Sequence, residues 1–116
     1  MLKDKKAEAE FFSCAYDNSE IVIFGIPYDG TASYRPGTRF APDAMRNEMY
    51  GLETYSPYLD KDLNDICVCD LGDIEIPFGN RETVLKDAAY ETMCILQDNK
   101  KIVMLGGEHL VSYPVI

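Results

Sequence analysis

The sequence predicts an α/β fold built around a parallel sheet. Three short runs are apolar at every position, namely Ile21–Phe24, Ile66–Cys69 and Ile102–Leu105. Continuous apolar runs indicate strands that are covered on both faces, as in parallel sheets. A segment with helical spacing separates the second run from the third, which is the order of a strand–helix–strand unit.

The longer predicted helix spans about Arg81 to Asp98. Asn80 is placed to cap its first turn, and Glu82 lies near the positive end of the helix dipole. The residues expected to face the sheet share one stripe at helical spacing. They are Val84, Leu85, Ala88, Ala89, Thr92, Ile95 and Leu96.

A shorter helix is predicted over Pro42–Tyr50, because Pro42 suits a first turn and Gly51 ends the pattern. Its mostly apolar side is expected to face the core and comprises Ala44, Met45, Glu48, Met49 and Leu52. Residues 51–65 show no clear pattern and are expected to form a loop. The segment Leu2–Tyr16 has room for a small amphipathic helix.

Charge and cysteine usage limit the possible partners. The 116 residues carry a formal net charge of −9, which would repel a phosphate backbone, so no nucleic-acid partner is expected. No apolar run approaches the roughly 18 residues of a membrane helix, and the charged N-terminus leads into no signal core. The cysteines form no CxxC pair and are expected to be buried thiols in a reducing cytosol; they are Cys14, Cys67, Cys69 and Cys94. These features predict a soluble cytoplasmic protein with no membrane partner.

Each predicted strand ends in a glycine-bearing turn, and the carboxyl ends of parallel strands meet at one edge of a sheet. Five side chains would gather at this rim: Asp29, Asp73, Glu75, Glu108 and His109. Such convergence predicts a binding or catalytic site. For the two aspartates, binding of nearby backbone amides within turns is the simpler interpretation.

The turn Gly106–His109 carries the strongest candidate, because His109 is the sole histidine of the chain. The simpler alternative is that its ring only hydrogen-bonds the rim. The paired glycines are expected to adopt dihedrals closed to other residues and to let a ligand approach the backbone. A phosphate loop is disfavoured because Glu108 would repel the anion; Glu108 is instead expected to favour the start of a helix or to orient a ligand. The basic segment Tyr34–Arg39 could contact a substrate or a neighbouring subunit, although internal salt bridges are the simpler interpretation.

The third predicted strand has no helix after it, and the sequence ends on the apolar segment Pro114–Ile116. Three parallel strands alone would leave apolar faces wet and strand edges unpaired. Residues 1–116 are therefore expected to form a single incomplete domain. Either they are the N-terminal part of a longer protein, or a partner supplies further strands.

Three motifs in this order resemble the ureohydrolase family, and its agmatinase branch most closely. They are Gly25–Asp29 continued through Tyr34–Pro42 to Met45–Arg46, then Asp70–Asp73, then Gly106–Pro114. The resemblance covers about Ile21 to Ile116. This sequence departs from the family pattern at three positions, with Ala41 in place of Gly, Glu108 in place of Asp and Leu110 in place of Ser. These departures affect mainly the assignment to a substrate subclass within the family.

The resemblance implies a three-layer α/β/α fold of arginase type, incomplete in this chain, with two Mn²⁺ ions at the carboxyl edge of the sheet. His109 matches a manganese-binding histidine of the family. The other ligands and the acid–base residues match segments that do not occur here, so no catalytic residue is assigned. Two Mn²⁺ ions that share one water would lower its pKa and hold hydroxide facing the guanidinium carbon. The implied activity is release of urea from a small cationic guanidino compound, most closely agmatine with putrescine as the second product, by a homotrimer or homohexamer.

Several alternatives stay open at this point. Related enzymes act on guanidinobutyrate, formimidoylglutamate or arginine, and the residues that would contact the far end of the substrate are mostly absent from this sequence. A non-catalytic binding or assembly subunit of the same fold is a second alternative. A thiol-based redox protein that uses Cys67 and Cys69 is a third. By the resemblance, the chain alone is expected to be inactive.

Overall fold

The structure is a computed structural model that describes residues 2–4 and 11–116. Its strands are β1 (Ile21–Ile26), β2 (Tyr55–Ser56), β3 (Lys61–Asp62), β4 (Val68–Asp73) and β5 (Lys101–Gly106), and its α-helices are α1 (Ala41–Met49) and α2 (Arg81–Gln97). The main sheet has the order β4–β1–β5, and both pairings are parallel. The predicted α/β class and parallel sheet are therefore confirmed. Neither helix in the described part of the chain is long and apolar enough to cross a membrane.

Alternate residues of β1 face two different layers, because successive side chains of a strand point to opposite faces. Val22, Phe24 and Ile26 belong to one buried cluster, together with residues of α2 such as Val84. Ile23 lies in a second cluster on the other face, against Met49 of α1. Helices thus cover both faces of the central strand, which gives the three-layer arrangement.

The prediction for α2 is correct at its start and too broad in its buried stripe. The Asn80 side chain accepts a hydrogen bond from the Thr83 N–H at 3.1 Å, as expected of a helix cap. Five residues of α2 are buried: Val84, Ala88, Thr92, Cys94 and Ile95. Ala89 and Leu96, which were expected to face the sheet, are exposed.

The predicted inward side of α1 is confirmed at Met49, which packs against the sheet, and is wrong at its other positions. Met45 and Leu52 are exposed. The helix instead faces the sheet through Pro42, Arg46 and Met49, whose spacing is also that of one helical face. The apolar pattern could not reveal this face, because its middle position is a charged residue.

The second strand begins and ends later than predicted. A single turn of 3-10 helix at Leu63–Asp65 precedes it, and the strand then continues to Asp73. Residues 51–65 are not a plain loop, since β2 and β3 form a two-stranded antiparallel hairpin there. The predicted N-terminal helix falls partly on residues 5–10, outside the described part of the chain; residues 11–15 are not helical.

The expectation that every cysteine is a separate thiol is wrong for Cys14 and Cys67, which the structure joins as a disulfide. The segment that contains Cys14 runs antiparallel beside β4, with Ser13 paired to Cys69. This pairing brings together two cysteines that are 53 residues apart in sequence. Cys69 and Cys94 are free and buried, as predicted.

Candidate functional site

The carboxyl edge of the sheet brings the loop after β1 against the turn after β5. The Gly107 N–H donates to the Ile26 carbonyl at 3.2 Å, and the Glu108 N–H donates to the Tyr28 carbonyl at 3.0 Å. A Cβ on Gly107 would collide with the Tyr28 carbonyl and would lie 3.2 Å from that of Thr38. The glycine is required here by close backbone approach. The expected special dihedral is not found, since neither glycine of the turn has positive φ.

His109 starts a single turn of 3-10 helix, His109–Ser112, immediately beyond this crossing. Its side chain is exposed and lines an open cavity of about 390 Å³. Other residues around this cavity include Thr31, Tyr34, Arg35 and Glu108. Within the described ranges, no residue hydrogen-bonds to the imidazole. The imidazole therefore lines the cavity and does not fix the rim through a hydrogen bond to the described residues.

Glu108 does not cap the turn that follows it, because its side chain makes no capping hydrogen bond. Its Oε2 accepts from the backbone N–H of Thr31 at 3.0 Å, and its Oε1 accepts from the Thr31 hydroxyl. The carboxylate is thus engaged by the loop after β1, where sequence reasoning had identified no partner for it.

Asp29 performs turn chemistry, as the simpler interpretation predicted. Its Oδ2 accepts from the Gly37 N–H at 2.6 Å and from the Arg39 N–H at 3.2 Å. The Arg39 guanidinium lies 3.2 Å from the same oxygen, which confirms an internal salt bridge within the basic segment. The Gly37 N–H, and after it Arg39, hold the pKa of Asp29 below its usual value. This carboxylate is therefore ionised and committed to the loop.

Asp73 belongs to a buried ion network that was not predicted. Arg46 donates to both carboxylate oxygens of Asp70, at 2.8 and 3.0 Å, and to Asp73 at 2.6 Å. The Asp70 side chain is 0% exposed and that of Arg46 is 15% exposed. Burial acts to lower the pKa of Arg46, but the two aspartates raise it by more, so the guanidinium stays charged.

A β-bulge places the two aspartates on one face of β4. Ile23 pairs with Asp70 and Gly25 pairs with Asp73, so β4 has one extra residue between these pairs. Gly72 supplies it with φ of 75°, a conformation that favours glycine. Residues three apart in a regular strand point to opposite faces, whereas here both carboxylates point toward Arg46. The Asp-x-Gly-Asp pattern, together with Arg46, is the sequence feature from which this ion network could have been predicted.

The five rim residues are not gathered into one cluster. Glu108 and His109 share the cavity, Asp29 and Asp73 are bound to arginines, and Glu75 is exposed. Among residues 2–4 and 11–116, no group of three or more His, Cys, Asp or Glu side chains is placed to hold a metal ion. The described residues offer one imidazole, which does not form a metal centre by itself.

The thiol-based alternative is contradicted by the structure. Cys67 is joined to Cys14, and Cys69 is fully buried. Burial, and after it the negative charge of Asp70, raises the pKa of the Cys69 thiol. A reactive pair made of Cys67 and Cys69 is therefore not present.

The chain is similar to an agmatinase from Bacillus anthracis, with 49% identity over 102 residues that cover 87% of this chain and 35% of that protein. It is similar to the crystal structure of the agmatine ureohydrolase of Thermoplasma volcanium, with a TM-score of 0.86 and 32% identity over 96% of this chain and 38% of that chain. A Trypanosoma cruzi formiminoglutamase variant, crystallised with Mn²⁺, gives a TM-score of 0.76 and 25% identity over 85% of this chain and 34% of that chain. The chain spans about a third of the length of the curated relatives it matches. A profile of the arginase family matches residues 19–116, and the chain belongs to that family.

Proposed function

We propose that residues 1–116 are the N-terminal part of a manganese-dependent ureohydrolase that converts agmatine to urea and putrescine. The observation that carries this proposal is the similarity to the Bacillus anthracis agmatinase over most of the chain. The proposed substrate is a small cationic guanidino compound. The intact protein would act in the cytoplasm as a homotrimer or homohexamer and would contribute to polyamine synthesis.

His109 is the proposed manganese ligand. Its imidazole is exposed to the cavity at the carboxyl edge of the sheet and makes no hydrogen bond within the described part of the chain. Neutral imidazole is a suitable ligand for divalent transition metals. Because the described residues supply no further cluster of metal-binding side chains, the other ligands would come from sequence outside this chain. Manganese, when bound, would supply a water of lowered pKa as nucleophile.

The activity is tested with the intact gene product and a panel of agmatine, guanidinobutyrate, formimidoylglutamate and arginine. Product release is measured for each compound, as urea or, for formimidoylglutamate, as formamide. We expect the highest kcat/KM with agmatine. A preference for another member of the panel would assign the protein to that substrate instead. No product from any compound would reject the enzyme and favour the non-catalytic binding or assembly subunit.

The ligand role of His109 is tested separately with His109→Ala. Changing an outer partner of a metal ligand costs about 10–100-fold in affinity or activity, so loss of a ligand should cost at least that much. Bound manganese, measured by mass spectrometry of the purified protein, should fall with the activity. Tyr113→Ala is the matched control, since Tyr113 is exposed and directly follows the same 3-10 turn. Unchanged manganese content in His109→Ala would reject the ligand role.

A further inference from the structure

Glu108 connects the turn that carries His109 to the loop after β1. Its two carboxylate oxygens accept the N–H and the hydroxyl of one residue, Thr31. Its own N–H donates to the Tyr28 carbonyl at 3.0 Å in the same loop. Main-chain and side-chain groups of Glu108 therefore act together to hold this loop in place.

The side-chain hydrogen bonds of Glu108 to the described residues are both made to Thr31. The side chain makes no capping hydrogen bond to the turn His109–Ser112. Both oxygens face Thr31, so each already has a donor. Hydrogen bonds to an ionised carboxylate are stronger than those between neutral groups, which favours a fixed position for Thr31.

Thr31 occupies a position from which it shapes the His109 cavity. It lines that cavity, and it also lines a second cavity of about 490 Å³ beside the start of α2, bounded by Gly30 and Arg81. Because Thr31 contributes to both, it belongs to the wall between them. A shift of Thr31 would change the width of the cavity into which the imidazole projects.

We propose that Glu108 is a positioning residue, which fixes Thr31 and thereby sets the wall of the substrate cavity beside His109. This inference rests on the proposed function, since it assigns the cavity to substrate. It requires no contact between Glu108 and either metal or reacting atoms. Loss of the interaction should therefore weaken substrate binding and leave the metal in place.

The variants are Glu108→Gln, Thr31→Val, the conservative Thr31→Ser, and the double variant Glu108→Gln/Thr31→Val, all in the intact protein. Thr31 is exposed, so loss of a hydrogen bond here is expected to have the ordinary net effect of about 5-fold. We expect KM to rise by up to about 5-fold in Glu108→Gln and Thr31→Val with little change in kcat, the pattern of lost substrate binding. Thr31→Ser should stay near wild type because it keeps the hydroxyl. The double variant should cost less than the sum of the two single changes, because the hydroxyl contact that Thr31→Val removes is one of the two that Glu108→Gln weakens.

A second measurement follows the loop itself by amide hydrogen exchange. The Thr31 amide should exchange about 5-fold faster in Glu108→Gln, since its acceptor is weakened. The Ile23 amide, in the centre of the sheet, should be unchanged. Manganese content should equal that of the wild type in all four variants.

Three outcomes would overturn the inference. The first is a loss of manganese in Glu108→Gln, and the second is a fall in kcat without a rise in KM in that variant. The third is a Thr31 amide that exchanges at the same rate in Glu108→Gln as in the wild type, when the wild type is active. If the wild type releases no urea while Glu108→Gln still accelerates exchange at Thr31, the proposed function fails. In that case Glu108 holds the loop but sets no substrate cavity, so the two failures are distinguishable.

Discussion

Replacing Arg46 with Met is expected to destabilise the intact protein by about 3–5 kcal/mol, because it leaves a buried carboxylate without its counter-charge. Arg46 makes three hydrogen bonds, at 2.8 and 3.0 Å to Asp70 and at 2.6 Å to Asp73. After the substitution, the fully buried carboxylate of Asp70 would keep one donor among the described residues, the Gly72 N–H at 2.9 Å. Methionine is apolar and similar in length, so most of the packing is preserved and the cost comes mainly from the charge.

Urea unfolding followed by circular dichroism measures this cost. The midpoint should fall while the slope with urea stays the same, which is the mark of a change in stability alone. Lys3→Met is the control, since the Lys3–Asp98 ion pair, at 3.0 Å, is partly exposed at both ends, with 28% and 36% of the two side chains accessible. Exposed pairs contribute about 0–1 kcal/mol, so the control should lose far less stability.

The double variant Arg46→Met/Asp70→Leu separates the buried charge from packing. Replacing a whole buried ion pair with apolar residues is often neutral or stabilising, whereas removing one partner is costly. We expect the double variant to be more stable than Arg46→Met alone. The single variant Asp70→Leu is measured as well. The reasoning is refuted if Arg46→Met lowers the free energy of unfolding by less than about 1 kcal/mol, or if the loss in the double variant equals the sum of the losses in Arg46→Met and Asp70→Leu.

Two further predictions concern the loop after β1. Gly107→Ala should destabilise the protein by about 1–3 kcal/mol, the usual cost of overpacking, because its new methyl group would collide with the Tyr28 carbonyl. Gly51→Ala is the control in the same unfolding assay, since a Cβ on Gly51 makes an ordinary contact at 3.6 Å. Asp29→Asn should reduce stability at pH 7, and the difference from wild type should shrink as the pH falls below about 4. The sign follows from the lowered folded pKa of Asp29: its contribution is present above the unfolded pKa of about 3.9 and is lost as the pH falls through the folded value. Unfolding curves at several pH values measure this, and a difference that grows toward low pH would contradict it.

The parts of the fold that apolar patterning could predict are those where burial and hydrophobicity coincide. The core of β1 and the start of α2 are examples, because Val22 and Phe24 are fully buried apolar residues and Asn80 caps the helix as expected. The pattern failed for α1, whose inward face includes Arg46. A charged residue is predicted to face solvent unless its partner is known. The partner of Arg46, Asp70, lies 24 residues further along the chain, so local sequence does not indicate the pair.

The position of Cys14 beside β4 could not be predicted either, because it also depends on a partner that is distant in sequence. Its segment lies beside β4 through a single bridge and one backbone hydrogen bond, from the Asp70 N–H to the Phe12 carbonyl at 3.3 Å. Such irregular pairing carries no periodic signal of the kind that predicts a strand. The pairing of Cys14 with Cys67 therefore depends on tertiary contacts that local sequence does not specify.

The carboxyl edge of the sheet could be predicted from the sequence, whereas the partners of its side chains could not. The carboxyl ends of parallel strands lie at one edge of the sheet whatever their side chains are. The position of the rim therefore follows from the order of strands and helices along the chain. Which rim groups remain available depends on donors from other elements. Asp29 is bound by Arg39, Asp73 by Arg46 and Glu108 by Thr31. Sequence alone leaves Asp29 and Asp73 open as possible ligands and Glu108 as a group that orients one, whereas the structure gives each a protein partner.

His109 differs from these carboxylates in that its side chain lines a cavity and makes no hydrogen bond within residues 2–4 and 11–116. Asp29, Asp73 and Glu108 secure the loops beside the imidazole through their hydrogen bonds. A ligand that reaches this edge would have to share or displace those contacts to use the three carboxylates. It would meet the imidazole without displacing any hydrogen bond from the described residues.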